Sequence, residues 1–404
     1  MKTLEIRYCG WGEDWQLGTL ADDGQTLLFE YSAEALAQQL ELSPRHLKLR
    51  TQAFGDFPTH QLRLPGLIAD ALPDGWGLLL MDRVFRQRGI TPGPLERLAF
   101  IGDRAMGALR FVPAETLELP PVDLQLAMLA HETQQVLDGA ATDVLMALVM
   151  MGGSPHGARP KALVQYQRAT AQVSTLATAV GEPWLVKFQA QREHKEVCAI
   201  EQLYAQLARE CGIDMPESAY FDLGPTLSAF AVARFDRAAG LRVPIHSLAG
   251  LLHADFRVPS VDYTTFLRAT KLLTRDEREV EKAYGRAVFN VVFHNRDDHA
   301  KNFGWRLAQD RRWRLAPAFD LTFCEGPGGQ HQSDVCGEGS RVTREHLLRL
   351  ANEGGVDRAA AVGIIERTLE VAGRFNLLAT TQPIRRDTAA HMLRAVDSNR
   401  LLLA

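Results

Sequence analysis

Twelve residues, "HNRDDHAKNFGW" from His294 to Trp305, bring two adjacent aspartates, two asparagines, histidine and lysine into one short stretch. Asp297 and Asn302 stand five apart, which is the spacing of a kinase catalytic loop. In that chemistry the aspartate accepts the proton of the attacking hydroxyl, and the asparagine carbonyl holds a magnesium ion. Magnesium takes hard oxygen ligands, so one asparagine is not enough and a second oxygen ligand is expected downstream. Asp320, in "APAFDLTF", lies eighteen residues on. Two residues at one spacing recur by chance. A solvated turn capping a helix, with Asp320 capping the next element, accounts for these residues equally well when they are taken alone.

Other stretches add parts in order. "MGGSPHGARPKALVQY" (Met151 to Tyr166) is a glycine-rich turn running into a strand. Gly152 and Gly157 have the spacing that opens a P-loop, but Ala158 and Arg159 follow where Lys-Ser/Thr is required, and a strand follows where a helix is required. A glycine-rich loop before a strand is instead how kinases cover nucleotide phosphates with backbone N–H groups; an ordinary hairpin tip is the plain alternative. "WLVKFQ" then sets Lys187 in a strand, where it either faces solvent or reaches ATP phosphates. Glu193, Glu196 and Glu201 begin or line the next helix and offer it a carboxylate partner. Glycine loop, strand lysine, acidic helix, D-x-x-x-x-N and metal aspartate follow one another in kinase order.

The elements that must position these groups are legible as patterns. "DEREVEKAYGRAVFNVVFHN" places Val280, Ala283, Tyr284, Ala287, Val288, Val291 and Val292 on one helical stripe, so a core-anchored helix delivers the polar cluster. "QTLLFEY" after the turn "DDG", and "GALRFVPA", read as strands; "IADALPDGWGLLLMDRVFRQRG" between them reads as one helix stopping at Gly89. A soft boundary falls near residue 120, at "PPVDLQLAML", where a new helix starts. "ALVQY", "WLVKFQ" and "SAFAVARFD" predict strands, interrupted by a helix from about Glu193 to Gly212. After Asp236 strand signals nearly vanish. From Tyr263 the pattern is helical, broken around "WRLAPAFDLTF" and the glycine-rich stretch after Cys324. The fold class is thus α+β: a mixed N-terminal part and a mostly helical C-terminal part.

Bulk properties bound the rest. The 404 residues are 46% hydrophobic and 23% charged, ordinary for a globular chain of two or three domains. A net charge of −4 gives no global drive toward nucleic acid or anionic membrane. No apolar run approaches the ~20 residues of a membrane span, and "MKTLEIRYCG" lacks a signal-peptide core, so a cytoplasmic protein is expected. Five scattered cysteines without C-x-x-C predict free thiols in a reducing compartment, and no H-E-x-x-H supports zinc hydrolysis.

With these residues in view the chain resembles the HipA-type serine/threonine kinases, toxin halves of bacterial toxin–antitoxin pairs. The resemblance spans nearly the whole chain and rests on "LPDGWGLLLMDR", "FIGDRAMGALRF", "SPHGARPKALV", "WLVKF", "VARFDR", "HSLAGLLHADFR", "NRDDHAKNFG" and "LAPAFDLTF", in family order. It implies a bilobal kinase-like fold: an α/β N-terminal subdomain (1–120), a kinase N-lobe (121–237) and a helical C-lobe (238–404). It implies Mg-ATP as cofactor, Asp297 as catalytic base, Asn302 and Asp320 as magnesium ligands, and Lys187 on the ATP phosphates. Gly153, Ser154, Gly157, Lys161 and Asn302 then belong to the nucleotide site. His299 and Lys301, in the family's H-x-K-N, orient the loop and offset phosphate charge. Arg234 and Asp236 read as structural. Ser154 falls where the family autophosphorylates. A phosphate there adds about −1.5 to −2 charges beside those of ATP, so modification should inhibit. Implied partners are a protein substrate (in the family, aminoacyl-tRNA synthetases), a helix-turn-helix antitoxin, and DNA only through that antitoxin; no membrane is implied. This chain departs from the pattern at Pro155-His156 and Arg159-Pro160. A small-molecule kinase of the antibiotic-phosphotransferase sort and a non-catalytic nucleotide-binding module stand as alternatives.

Overall fold

The computed structural model describes residues 2–115, 123–137, 157–170, 172–176 and 178–404. Two compact units result. The first takes Met1–Cys198, Ala219–His246 and Gly250–His253; the second takes Ala199–Ser218, Ser247–Ala249 and Ala254–Ala404. Among the described residues no helix is long and apolar enough to cross a membrane, and Cys9, Cys198, Cys211, Cys324 and Cys336 are free thiols.

The first unit carries two antiparallel sheets. Strands β1 (Thr3–Tyr8), β2 (Trp15–Asp22), β3 (Leu27–Tyr31) and β4 (Leu109–Val112) pair in the order β3-β2-β1-β4. Leu4, Ile6 and Tyr8 of β1 and Leu27, Phe29 and Tyr31 of β3 are buried, the period-two pattern of half-buried strands. Strands β5 (Lys161–Gln167), β6 (Gln172–Ser174), β7 (Glu182–Phe188), β8 (Ser218–Asp222) and β9 (Ser228–Ala233) form the other, ordered β6-β5-β7-β9-β8. The expected strands are all found. The expected helix after Ile68 is not continuous: Gly66–Ala69 and Gly75–Gln87 are separate helices. Pro73 between them has no N–H to donate and its ring blocks the preceding turn. Strands also recur after Asp236, contrary to the pattern, as the short hairpins Arg237–Ala238/Leu241–Arg242 and Gly304–Leu307/Trp313–Leu315. Segments of two to four residues are too brief to show alternation.

Two buried polar networks knit this unit together. Asp236 is fully buried and accepts from Arg234 Nε at 2.9 Å, Arg237 Nη1 at 2.7 Å and the Gly107 backbone N at 2.8 Å. Burial alone would push its carboxyl up; the charges of Arg234 and Arg237 overrule it and hold the group well below the usual range. The structural role expected for Arg234 and Asp236 is the one observed. In the second network His246 Nδ1 meets Asp70 Oδ2 at 2.7 Å and its Nε2 meets Ser43 Oγ at 3.0 Å. The order is that of a hydrolase triad, but Ser43 and His246 are each 1% exposed. The network lies in the interior and ties Ser43, Asp70 and His246, three segments distant in sequence, to one another. His253 continues it, accepting from Gly66 N at 3.1 Å and stacking on His46 with 4.0 Å between centroids. Gly66 and Gly250 approach so closely that a side-chain carbon on Gly66 would overlap the Gly250 carbonyl. "HSLAGLLHADFR" therefore serves packing.

The second unit is built around helix Glu277–Val292, capped by Asp276, whose side chain accepts from Arg278 N. Helices Tyr263–Thr274, Arg344–Gly354, Arg358–Gly373 and Arg386–Leu403 pack against it. The predicted stripe is buried, and so are Arg286, Phe289 and Asn290. It is enclosed on nearly every side rather than along one stripe.

His253 generates a pH prediction. Burial, with His46, His246 and His60 nearby, lowers its pKa to about 4. The folded state then binds fewer protons than the unfolded state between pH 6.5 and about 4, so stability falls as pH drops through that window. His253→Asn, which tolerates the left-handed backbone found there (φ 54°) and does not titrate, should show a smaller loss of melting temperature between pH 7 and 4 than the parent. An equal loss in both proteins would remove His253 as the cause.

Candidate active site

The polar stretch begins where helix Glu277–Val292 stops. Tyr204 donates its hydroxyl to the Phe293 carbonyl at 2.5 Å, and His294 turns the chain with a φ of 56°. That left-handed conformation is uncommon outside glycine, though histidine and aspartate are enriched in it. Asn295 is held back onto the helix by its Nδ2 to Asn290 Oδ1 and its backbone N to Asn290 O, both 2.9 Å. It also bridges in parallel to Cys324. His294 accepts at Nδ1 from Asn399 Nδ2 at 3.2 Å, so Nε2 carries the proton given to Glu325 Oε2 at 2.9 Å. Burial lowers its pKa, with Glu325 opposing. The loop is thus tied at its entry to the C-terminal helix.

The two aspartates have different surroundings. Asp298 is 1% exposed. Its Oδ2 accepts from Tyr263 OH and His331 Nδ1, each at 2.7 Å, and its Oδ1 accepts from the backbone N of Gln332 at 2.8 Å and of Ser333 at 3.4 Å. Ser333 Oγ adds a bond to the Asp298 carbonyl at 2.6 Å. Burial and the Asp298 charge push the Tyr263 phenol well above its ordinary pKa, fixing it as a donor. Asp297 is partly exposed, its side chain at 45%, with Gln332 Nε2 at 3.3 Å and His299 Nε2 at 3.8 Å from Oδ1. His299 Nδ1 accepts from Lys301 N at 3.3 Å, which turns Nε2 toward Asp297. Lys301 lies with its ammonium 4.5 Å from the centre of the Phe256 ring.

Asn302 ends the 3-10 turn Ala300–Asn302. Its Nδ2 donates to the Asp297 carbonyl at 2.7 Å, which leaves the amide oxygen as the atom available to a cation. Asp320 takes a left-handed φ of 57°. Asp297, Asn302 and Asp320 line one depression with Asn290, Asn295 and Arg286. The Asn295 Oδ1 in its wall is buried and has no hydrogen-bond partner. Arg286 beneath is pulled down to a pKa of about 10 by burial, opposed by Asp214 and Glu279. The donor set suits a hard cation: one carboxylate, one amide oxygen, no sulfur or imidazole. Among the described residues no group of three or more His, Cys, Asp or Glu is placed to hold a metal. A magnesium ion here would need further oxygens, such as those of a nucleotide.

In the first unit Lys187 lies on β7, a central strand, and is 6% exposed; Lys161 on β5 is 2% exposed. The register sets them directly opposite, so both side chains share a face. Two amine-bearing side chains are thus brought together on one buried face. The loop leading to Lys161 is braced at Gly157. Its N–H donates to Asp74 Oδ1, its carbonyl accepts from Trp76 N at 3.1 Å, and Trp76 Nε1 donates to Lys161 O at 3.1 Å. Gly75, at φ 41°, has no room for a side chain, since a Cβ would lie 2.6 Å from the Gly157 carbonyl. "LPDGWG" is thus the clamp on the end of the glycine-rich stretch. Gly153 and Ser154 lie outside the described residues. Glu193 forms a two-pronged ion pair with Arg159, at 3.0 and 3.1 Å, while Glu196 and Glu201 are buried.

Tyr263, His331, Gln332 and Ser333 escape a reading by spacing. The polar run "QHQSD" between two glycine-rich stretches is the signal that points to His331, Gln332 and Ser333. Asp298→Ala should leave Tyr263, His331 and two backbone N–H groups without their acceptor and destabilise by on the order of 3 kcal/mol. Asp297→Ala should shift the melting temperature little. Equal melting temperatures for the two variants would refute this division of roles.

Comparison with known proteins follows the same division. A family model described as HipA N-terminal domain matches residues 11–112, and one described as HipA-like C-terminal domain matches residues 153–374. Y4dM of Sinorhizobium fredii (strain NBRC 101917 / NGR234), whose name proposes a kinase, is 24% identical over 337 residues, 79% of this chain and 76% of its own length. A chain of the Shewanella oneidensis MR-1 toxin–antitoxin complex of HipA, HipB and operator DNA superposes with a TM-score of 0.69. It is 19% identical, over 98% of this chain and 96% of its own. CtkA, a proinflammatory kinase of Helicobacter pylori, gives a TM-score of 0.40 at 13% identity over 55% of this chain and 88% of its own.

Proposed function

This chain belongs to the HipA family, and from that premise we propose that it is an ATP-dependent kinase transferring a phosphoryl group to a Ser or Thr of a protein. The observation that carries the reading is the meeting of Asp297, Asn302 and Asp320 in one depression at the end of a buried helix. Asp297 accepts the proton of the acceptor hydroxyl; its partial exposure leaves it reachable. Asn302 and Asp320 hold magnesium, which neutralises phosphate charge when bound. Lys187 and Lys161, side by side on one sheet face, bind phosphate oxygens, and Gly153, Ser154 and Gly157 form the covering loop. His299 orients Asp297, and Lys301 offsets charge. On this reading residues 1–120, 121–237 and 238–404 are N-terminal subdomain, N-lobe and C-lobe. Ser154 is the residue that autophosphorylates, to the inhibition of the kinase.

The role in a cell follows by likeness. The Shewanella complex holds HipA with HipB and operator DNA, which supports a toxin that pairs with a DNA-binding antitoxin. A protein such as an aminoacyl-tRNA synthetase is the proposed target, in the cytoplasm.

Two variants test the assignment. Asp297→Asn should lower phosphoryl transfer by about 10²–10⁴-fold, the usual cost of losing a general base, while ATP binding persists; near-full transfer of label from γ-labelled ATP would sink the role. Asp320→Ala should instead weaken nucleotide binding in a magnesium-dependent way, since a coordinating carboxylate oxygen is lost to the cation. Calorimetry with and without magnesium reads it, and identical affinities to the parent would return Asp320 to a structural role.

A further inference from the structure

Helix Glu277–Val292 ends at the loop that carries Asp297 and Asn302. The last four carbonyls of an α-helix have no partner within it. Here Phe289 O accepts from Phe293 N and Asn290 O from Asn295 N, each at 2.9 Å. The other two carbonyls turn to the C-terminal helix. Asn399 Nδ2 donates to Val291 O at 2.8 Å and lies 3.4 Å from Val292 O, across 108 and 107 residues of sequence. The approach of His294 N to Val291 O is longer, at 3.5 Å. Val291, Val292 and Asn399 are all buried, so removing the amide leaves carbonyl oxygens short of a donor where water does not readily replace it.

The same amide reaches one residue beyond the helix. Asn399 Nδ2 also donates to His294 Nδ1 at 3.2 Å, and His294 is where the backbone takes its left-handed turn, at φ 56°. The turn lays the next residues beside Cys324. Cys324 N donates to His294 O at 3.1 Å, and Arg296 N donates to Cys324 O at 3.2 Å. Asp297 comes next, so the turn sets the direction in which the proposed base is presented. A second tie runs from the same helix: His391 Nε2 meets Glu325 Oε1 at 2.8 Å, and Glu325 Oε2 meets His294 Nε2 at 2.9 Å. Glu325 and His391 have half-exposed side chains, and exposed ion pairs contribute little. The buried amide, with three acceptors, is the stronger hold.

We propose that Asn399 is a positioning residue for phosphoryl transfer: its amide holds the turn at His294, and the turn aims the backbone that presents Asp297. The inference rests on the kinase reading above. It adds a residue that does not line the depression.

The test is kinetic, on the full chain with γ-labelled ATP and either a protein acceptor or the chain itself. Asn399→Ala should lower kcat about 10²-fold, the scale of a small misplacement of a reacting group, and change KM for ATP much less. Asn399→Ser keeps one proton to donate and should fall between; it replaces the alanine variant should that one not fold. Val396→Ala loosens the same helix at a buried apolar position without touching the amide. It should lower the melting temperature yet keep kcat within about twofold at a temperature where it is folded. Glycine adopts the left-handed turn without a side chain's strain, so His294→Gly placed in the Asn399→Ala chain should recover at least tenfold of kcat. A folded Asn399 variant with parental kcat, an equal loss of kcat in Val396→Ala, or no recovery with His294→Gly overturns the assignment and leaves the kinase reading standing. A parent chain that transfers nothing to any protein, itself included, overturns the kinase reading and this assignment with it.

Discussion

A buried carboxylate needs donors, and four of them converge on Asp298. That requirement organises the second unit. Tyr263 comes from one helix, and its hydroxyl also accepts from Asn290 Nδ2 on the central helix at 2.9 Å. Asn290 in turn accepts from Asn295 at the loop's start. His331, Gln332 and Ser333 come from a segment more than thirty residues on. One charge therefore joins two helices, the loop and a distant turn. Placing an ion away from water is costly unless its lone pairs are filled, so any shift of the loop exposes that cost. Asp297 inherits the fixed backbone that its neighbour's bonds impose.

The first unit is constrained by the opposite sign. Lys161 and Lys187 are register partners, and both are nearly inaccessible to water. Like charges directly opposite destabilise a sheet, so each ammonium needs interactions nearby that offset the other. The backbone at the entry to β5 is fixed independently by Asp74, Trp76 and Gly75, where close approach leaves no space for a Cβ. The chain entering β5 at Gly157 is thus held by a carboxylate, an indole and a close backbone approach.

What could be read from residue order follows from what residue order encodes. The helix Glu277–Val292 and strands such as β7 show themselves through periodicity, because burial repeats with the period of the element. The five-residue interval from Asp297 to Asn302 is likewise local, and so is the break at Pro73, which the apolar spacing on either side conceals. The division of labour between Asp297 and Asp298 is not local. It depends on Tyr263 and on His331 to Ser333, which no spacing rule connects to the pair. The Lys161–Lys187 juxtaposition depends on register, and the Arg159–Glu193 pair shows that a carboxylate near Lys187 in sequence has another cation to serve. Geometry across sequence distance decides all three.

The stretches that carry the family resemblance divide by the same physics. "FIGDRAMGALRF" and "VARFDR" meet at Gly107 and Asp236; "HSLAGLLHADFR" meets the N-terminal segment at Asp70 and Gly66; "LPDGWG" clamps Gly157. Each is a buried polar contact or a close backbone approach, the kind of feature that few substitutions satisfy, which makes such stretches recognisable. They establish the fold. Asp297, Asn302 and Asp320, by contrast, meet around one depression without serving any of these scaffold contacts. A chain that kept every scaffold stretch and lost one of those oxygens would keep the fold equally well, so the three side chains owe their meeting to something other than packing.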